Sequence, residues 1–385
     1  MSETTLPPQP LAPPPGLRER LLERLRRWRL AKIASPSFQR WAARNPLTRR
    51  RARHDAARLY DLVAGFVYAQ VLQACVSLDL FERLRDGPVR IEALAHAVGI
   101  APDRMESLCQ AAASLDLLRR EANGLYGLGD LGAASLGVPG LDQMIRHHQA
   151  FYRDMADPVA LLRGETEPEL ARFWSYVRSS DVDPDTARTY SALMASSQDL
   201  VAEETLDTVD LSGIAHLADI GGGTGRFLSH VARRATDLRL TLMDLPGVID
   251  AARPVLADTG LDSRIRCLPG SFLQDPLPAD ADAISLIRVL YDHDDDVVRR
   301  LLGRVFAALP PGGRLIVSEP MSGGHEPSRS GDAYFGFYTM AMTTGRPRSP
   351  ARHMQLLAEA GFQAPKALAT RRPFLTGVVE ARKPA

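Results

Sequence analysis

The stretch that most constrains this chain is HLADIGGGTGRFLSHVARRATDLRLTLMD, residues 216–244. A short apolar segment over 217–220 runs into a turn carrying Gly221, Gly222, Gly223 and Gly225. A helical stretch follows, then a second apolar segment ending on Asp244. Strand, glycine turn, helix, strand and acid in that order make half of a nucleotide-binding α/β unit. The glycines let backbone N–H groups approach a ligand closely, and the acid at the next strand end meets a ribose diol.

The detail of the turn selects among nucleotides. A dinucleotide fingerprint places its third glycine for helix–strand packing. Here the glycines fall at 221, 223 and 225, and position 226 is Arg. Asp219 sits two residues before the first glycine. A pyrophosphate is repelled by an acid there, whereas a ligand bearing an ammonium and a sulfonium is attracted. The turn resembles the first motif of the S-adenosylmethionine-dependent methyltransferases, which implies S-adenosyl-L-methionine as cofactor and Asp244 as its ribose-binding acid. An NAD site and a ligand-free glycine turn are the competing readings, and the second acid counts against both.

At 385 residues, 45% apolar and 24% charged, the chain suits two soluble domains with ample core. No apolar run is expected to reach membrane-spanning length, and the start MSETTLPPQPLAPPPG lacks a signal-peptide pattern. Cys75, Cys109 and Cys267 are few and unpaired in spacing, pointing to a reducing cytoplasm and away from a disulfide framework or a metal site. Net charge is +1, yet residues 17–53 alone carry thirteen Arg or Lys against two Glu, a local +11 that leaves −10 for the rest.

Five regions follow. Residues 1–16 form a Pro-rich, disordered tail. Residues 17–54 form a basic extension in which 17–33 fits a helix, with Leu17, Leu21, Leu22, Leu25 and Trp28 on one face and Arg on the other. Such a helix suits an anionic membrane surface, although docking on the protein's own acidic body or contact with nucleic acid stays open. Residues 55–140 begin with a helix over 55–81, wide enough in its apolar face for a core or a dimer. Helices over 91–98 and 102–118, joined at Gly99, and a ribbon over 124–132 then describe a winged-helix module. Its second helix has little basic charge before its last turn, favouring dimerisation over DNA binding. Residues 141–212 form a helical connector broken at Pro158, Pro168 and Pro184. The adjacent His147 and His148 point about 100° apart on a helix and are no metal pair; one is able to face a pocket, and a surface position is the commoner outcome.

Residues 213–385 read as a doubly wound sheet, so the fold class is α/β, a Rossmann-like domain behind a helical N-terminal domain. Strands are expected over 238–243, 265–268, 283–289 and 314–318, helices over 248–259, 295–309 and 349–360, and a closing hairpin over 364–370 and 376–381. Ligands lie beyond the carboxyl ends of such strands. The third end offers Gly270, Ser271 and Phe272, a polar group and an aromatic suited to bracket an adenine. The fourth offers IRVLYDHDDD, 287–296, where Asp294 or Asp295 caps the next helix and Arg288, Tyr291 and His293 are left unexplained by capping.

At these residues the chain resembles the O-methyltransferases of the plant caffeate type and their bacterial relatives, from Asp55 to the C-terminus. The resemblance implies that Gly221 meets the methionine part of the cofactor, with Asp219 and Gly223 beside it. It implies further cofactor contacts at Asp244 and Leu245, Ser271 and Phe272, Arg288, and Met194 in the covering segment TYSALMASSQ. The family's catalytic His-Asp pair falls on Tyr291 and Asp292, with His293 two positions after the Tyr. Those departures, with ALPPGGRLIVSEPMSGG, GDAYFGFYTMAM, GRPRS and ASPSFQRWAARNPLTRRRAR, are similar to the bacterial carotenoid 1-hydroxy O-methyltransferases acting on demethylspheroidene and hydroxyneurosporene.

Methyl transfer requires alignment of oxygen, methyl and sulfur, and removal of the hydroxyl proton as the bond forms. A tertiary alcohol is far less acidic than a phenol, so losing the usual His is compatible with an aliphatic acceptor. His293, polarised by Asp292 or Asp294, is the expected proton acceptor, and Tyr291 the group that orients the hydroxyl. DAYFGFYTMAMTTG supplies aromatic and Met side chains for an apolar channel, or for ordinary core. The expectation is therefore a homodimeric, cytoplasmic carotenoid O-methyltransferase, peripheral on the inner photosynthetic membrane through 17–53, with no nucleic-acid partner. A phenolic or polyketide acceptor, and a DNA-binding regulator with a vestigial cofactor domain, are the alternatives.

Overall fold

The computed structural model describes residues 16–172 and 198–385. Met194, Pro184 and nearly all of the Pro-rich tail lie outside them. The chain divides into two units, Met1–Ala74 and Cys75–Ala385.

The first unit is helical. Leu17–Ile33 starts where the Gly16 N–H donates to Glu19, and Pro36–Arg44 starts on a proline, whose missing N–H costs nothing at a first helical position. Leu17–Ile33 buries no residue; Leu17 is 89% and Trp28 62% exposed. At about 100° per residue, Arg18, Arg29 and Lys32 fall among the leucines, so the separation of an apolar from an Arg face is only partial. Arg49–Ser77 begins earlier than expected, because the arginine run contains no helix breaker. It stops before Asp79, whose φ of 52° is left-handed, and a separate short helix, Leu80–Arg83, follows. By length and composition alone Arg49–Ser77 is long and apolar enough to cross a membrane, which corrects the expectation that no run reaches that length. Leu59, Leu62, Val63 and Phe66 on it are all exposed.

In the second unit, β1 (Val89–Arg90), the helices Ile91–Val98 and Pro102–Ser114, β2 (Leu118–Arg120) and β3 (Leu125–Leu128) form a helix–turn–helix with a three-stranded antiparallel sheet, order β1-β3-β2. Its second helix ends at Ser114 and not at 118, because Asp116 takes a φ of 56° and Leu118 pairs with Leu128. The ribbon ends at Leu128, and Asp130–Leu136 is helical. Pro158 starts the helix Pro158–Arg163, capped by Asp157, instead of simply breaking one.

The large sheet comprises β4 (His216–Ile220), β5 (Arg239–Asp244), β6 (Ile265–Pro269), β7 (Ala283–Ile287), β8 (Arg314–Glu319), β9 (Gln363–Leu368) and β10 (Gly377–Arg382), in the order β6-β5-β4-β7-β8-β10-β9. The first five are parallel, and β10 lies antiparallel to β8 and β9. Strands buried on both faces read as unbroken apolar runs. One core layer gathers Ile220, Leu286, Leu301 and Val317; the other gathers Leu217, Leu228, Val231, Leu242 and Ile249. The strand order reverses between β4 and β7, where Asp219 sits opposite Ser285. That reversal opens the crevice in which an α/β sheet takes its ligand.

Candidate active site

The glycine turn after β4 is closed from inside. Gly221 N–H donates to the Met243 carbonyl at 2.8 Å, Gly223 N–H to Asp244 Oδ2 at 2.8 Å, and Gly225 N–H to the Gly222 carbonyl at 3.1 Å. Three N–H groups expected to meet a ligand are therefore engaged within the protein. What Gly221 can offer is its carbonyl oxygen, an acceptor. Asp244 also accepts from Leu245 N–H at 2.7 Å through its other oxygen. A turn of acceptors beside acids repels a pyrophosphate and suits a cation.

Asp219 is fully buried under this turn, and a Cβ on Gly222 would stand 2.4 Å from its Oδ2. Its Oδ1 accepts from Ser285 Oγ at 2.6 Å, while Oδ2 has no partner. Burial pushes this carboxyl up to about 7, against the Ser285 hydrogen bond, and the Asp244 charge adds to the rise. Burial likewise raises Asp244, opposed by its two backbone donors. Fully buried, Asp219 has no surface to offer a ligand, and only its field reaches beyond the turn. An incompletely satisfied carboxyl beneath a donor-poor turn fits the ammonium and sulfonium of S-adenosylmethionine.

At the third strand end, Ser271 N–H donates to Asp275 at 2.7 Å, and Ser271 Oγ accepts from Leu273 N–H at 3.3 Å. The Phe272 ring lies 3.6 Å from where a Cβ on Gly221 would stand, so it borders the turn.

At the fourth, β7 stops at Ile287 because Arg288 adopts a φ of 58°, a conformation side-chain-bearing residues rarely take and one concentrated at functional sites. The following turn, Leu290–Asp292, is pinned by Glu319, which accepts from the N–H groups of Val289, Leu290 and Tyr291 at 2.9, 2.7 and 3.3 Å. Glu319 is fully buried, and burial holds it up at about 7 against those three donors. Sequence reasoning missed it. The available signal was an acid at the carboxyl end of an expected strand.

The expected catalytic trio divides. Tyr291 is 1% exposed, with the Arg288 guanidinium 5.9 Å above its ring and 3.5 Å from its hydroxyl. Burial raises its phenol above the ordinary tyrosine range. Asp292 is buried, pushed well up by burial and then by the Glu319 charge, and opposed by Arg288 and the Tyr291 hydroxyl. Its Oδ1 has no hydrogen-bond partner. His293 is half-buried and edge-on to Phe272 at 5.6 Å. Asp294 caps the helix Asp295–Ala308, accepting from Asp296 and Val297 N–H at 3.0 and 2.9 Å. Asp295 is held by Arg346, Arg348 and Arg352. Asp294 Oδ1 serves the helix N-terminus, and its carboxyl is held low first by those backbone donors and also by the charge of His293.

Comparison with known proteins agrees with this geometry. The O-methyltransferase domain matches residues 152–363, and the O-methyltransferase dimerisation domain matches residues 60–137. The demethylspheroidene O-methyltransferase of Cereibacter sphaeroides is 50% identical over 353 residues, 91% of this chain and 93% of that protein. Its Rhodobacter capsulatus namesake is 48% identical over 88% of this chain and 85% of that one. Human N-acetylserotonin methyltransferase, solved in complex with SAM, superposes with a TM-score of 0.72 at 25% identity, covering 86% of this chain and 98% of that one. A regulator with a vestigial cofactor domain is set aside by these matches. The chain belongs to the O-methyltransferase family and is an S-adenosylmethionine-dependent enzyme.

Proposed function

We propose that this enzyme methylates the tertiary 1-hydroxyl of an acyclic carotenoid of the demethylspheroidene or hydroxyneurosporene type. It works as a homodimer at the cytoplasmic face of a membrane. The two relatives of about half-identical sequence are named demethylspheroidene O-methyltransferases, which supports this reading. The observation that carries the reading within the site is the buried Tyr291, a phenol held protonated where a base would be needed for early proton removal. When bound, the cofactor supplies a methyl group activated by its sulfonium. Asp244 and Phe272 hold its nucleoside half, and Asp219 and the Gly221 carbonyl favour its cationic half. Tyr291, fixed through Glu319, orients the acceptor hydroxyl. Asp292, whose burial makes its carboxylate a stronger base than an ordinary one, takes the proton in its ionised form, late, as the O–CH3 bond forms. His293 belongs to the cofactor side, beside Phe272.

The dimerisation domain begins at residue 60, in the helix whose Leu62, Val63 and Phe66 stand exposed, and a second copy of the chain would cover them. Methyl transfer from labelled cofactor into hydroxyneurosporene, demethylspheroidene and a catechol, run in parallel, tests the acceptor. Label in either carotenoid is expected; label in the catechol alone would overturn the reading.

A further inference from the structure

We propose that Phe335, Tyr334 and Tyr338, held in place by His148 and His147, form the wall along which the acceptor's apolar chain lies. The two histidines thereby set the preference for a long polyene over a short alcohol. This rests on the carotenoid reading above and deepens it.

The wall starts at the reacting position. Tyr291 meets Phe335 edge-on at 6.1 Å, and Phe335 meets Tyr334 edge-on at 4.9 Å. Tyr334 stacks on Tyr338 at 5.9 Å and 24°, and Phe151 stands edge-on to both. His148 and then Tyr152 continue the track outward, at 5.6 and 6.3 Å. The segment that presents it is irregular. Arg329–Phe335 is a π-helix that passes into the α-helix Gly336–Ala341, and π-turns gather at functional sites. Gly331 permits this, since a Cβ there would stand 2.0 Å from the Met321 carbonyl.

The histidines explain how so polar a set makes an apolar surface. His148 Nε2 bonds the Tyr334 hydroxyl at 2.7 Å, and His147 Nε2 bonds the Tyr338 hydroxyl at 2.9 Å. Burial pushes both imidazoles down, His147 to about 4, and both phenols up, so each pair joins neutral partners. The hydroxyls are engaged by the histidines of the helix Leu141–Asp154; Tyr338 is buried behind the wall, and the half-buried Tyr334 and Phe335 supply its ring surface. A small phenolic acceptor is recognised by polar groups placed around its ring. A conjugated hydrocarbon has one hydroxyl and needs flat, polarisable contact over its length.

The test uses the full-length enzyme and two acceptors with the same tertiary hydroxyl, hydroxyneurosporene in micelles and a short monoterpene alcohol. His148→Ala is expected to raise KM for the carotenoid about tenfold more than for the short alcohol, roughly the effect of one lost hydrogen bond and its ring placement. His148→Gln, which can still bond a tyrosine hydroxyl, is expected to restore most of it. Binding to the wild type is expected to shift the polyene absorption, and Tyr334→Leu should remove that shift. Equal losses for both acceptors, or no change in the carotenoid KM with cofactor affinity intact, would overturn the proposal. A wild-type enzyme that methylates neither carotenoid would instead refute the acceptor reading itself.

Discussion

Gly223 donates its N–H to Asp244 Oδ2 at 2.8 Å, tying the glycine turn after β4 to the end of β5. The two features that mark a nucleotide site in the sequence are thus one hydrogen-bonded unit. Asp244 holds the turn with one oxygen and the Leu245 backbone with the other, leaving its remaining lone pairs for a ribose. Asp244→Ala removes the tether and the diol acceptor together. Charge-assisted hydrogen bonds contribute about 1.5–3 kcal/mol each, so cofactor affinity should fall roughly a hundredfold in titration calorimetry. Asp244→Asn keeps an acceptor for Gly223 and should lose about tenfold.

Asp219 is expected to make cofactor binding depend on pH. Its carboxyl stands at about 7, far above its ordinary value, so it is largely protonated in slightly acidic solution. A cationic ligand favours the carboxylate and releases the proton. Affinity should therefore rise as pH increases through about 7, and Asp219→Asn should flatten that profile. Calorimetry in buffers of different ionisation heat will detect the released proton.

The same shift has a stability consequence. A carboxyl raised on folding binds its proton more tightly in the native than in the unfolded chain, so its contribution falls as pH rises through the folded value. Asp219 and Glu319, both near 7, act in this sense. His147 and His353 are pushed down to about 4 and about 3, and their contribution is lost as pH falls below the ordinary histidine value. The two slopes oppose each other between about 4 and 7. The ligand-free wild type should show a shallow profile of Tm against pH, and Asp219→Asn should gain stability relative to it as pH rises.

The division of Tyr291 and Asp292 from His293 gives separable kinetics. Asp292→Asn should lower kcat by about a hundredfold or more, the usual range for a proton acceptor, with cofactor affinity kept. His293→Ala should raise KM for the cofactor and leave kcat within a few-fold. Loss of kcat in His293→Ala, with Asp292→Asn active, would return the base to His293.

The sheet was legible because its strands are apolar runs punctuated by glycine turns, and their order follows from right-handed crossovers. The cofactor's charge was legible in Asp219, since an acid before a glycine turn has one electrostatic meaning. The role of the turn's N–H groups was not, because Gly221 and Gly223 are engaged by Met243 and Asp244, more than 20 residues away in sequence. Glu319 was hidden for a similar reason: its three donors belong to another strand end. The sequence left the histidines at 147 and 148 between a surface position and a pocket, and only tertiary packing brings them to tyrosines at 334 and 338. The left-handed backbone at Arg288, which ends β7 before the run 290–293, has no signature in the residue type.

The basic extension makes a last prediction. Leu17–Ile33 leaves every side chain exposed or half-exposed, and Trp28 and Trp41 are 62% and 50% exposed. Arg18, Arg29 and Lys32 interrupt its leucine side, so insertion of a clean apolar stripe cannot be the main source of affinity. Charge must dominate. A surface carrying +11 over residues 17–53 gains about 1 kcal/mol per basic side chain brought to anionic lipid, and that gain is screened by salt. The protein should float with vesicles containing anionic phospholipid and not with neutral ones, and should leave them as salt rises toward about 0.5 M. Removing residues 1–48 should abolish flotation while methylation of a micellar acceptor persists. Equal partitioning with and without the extension would dispose of the membrane role and leave the helix to contacts with protein.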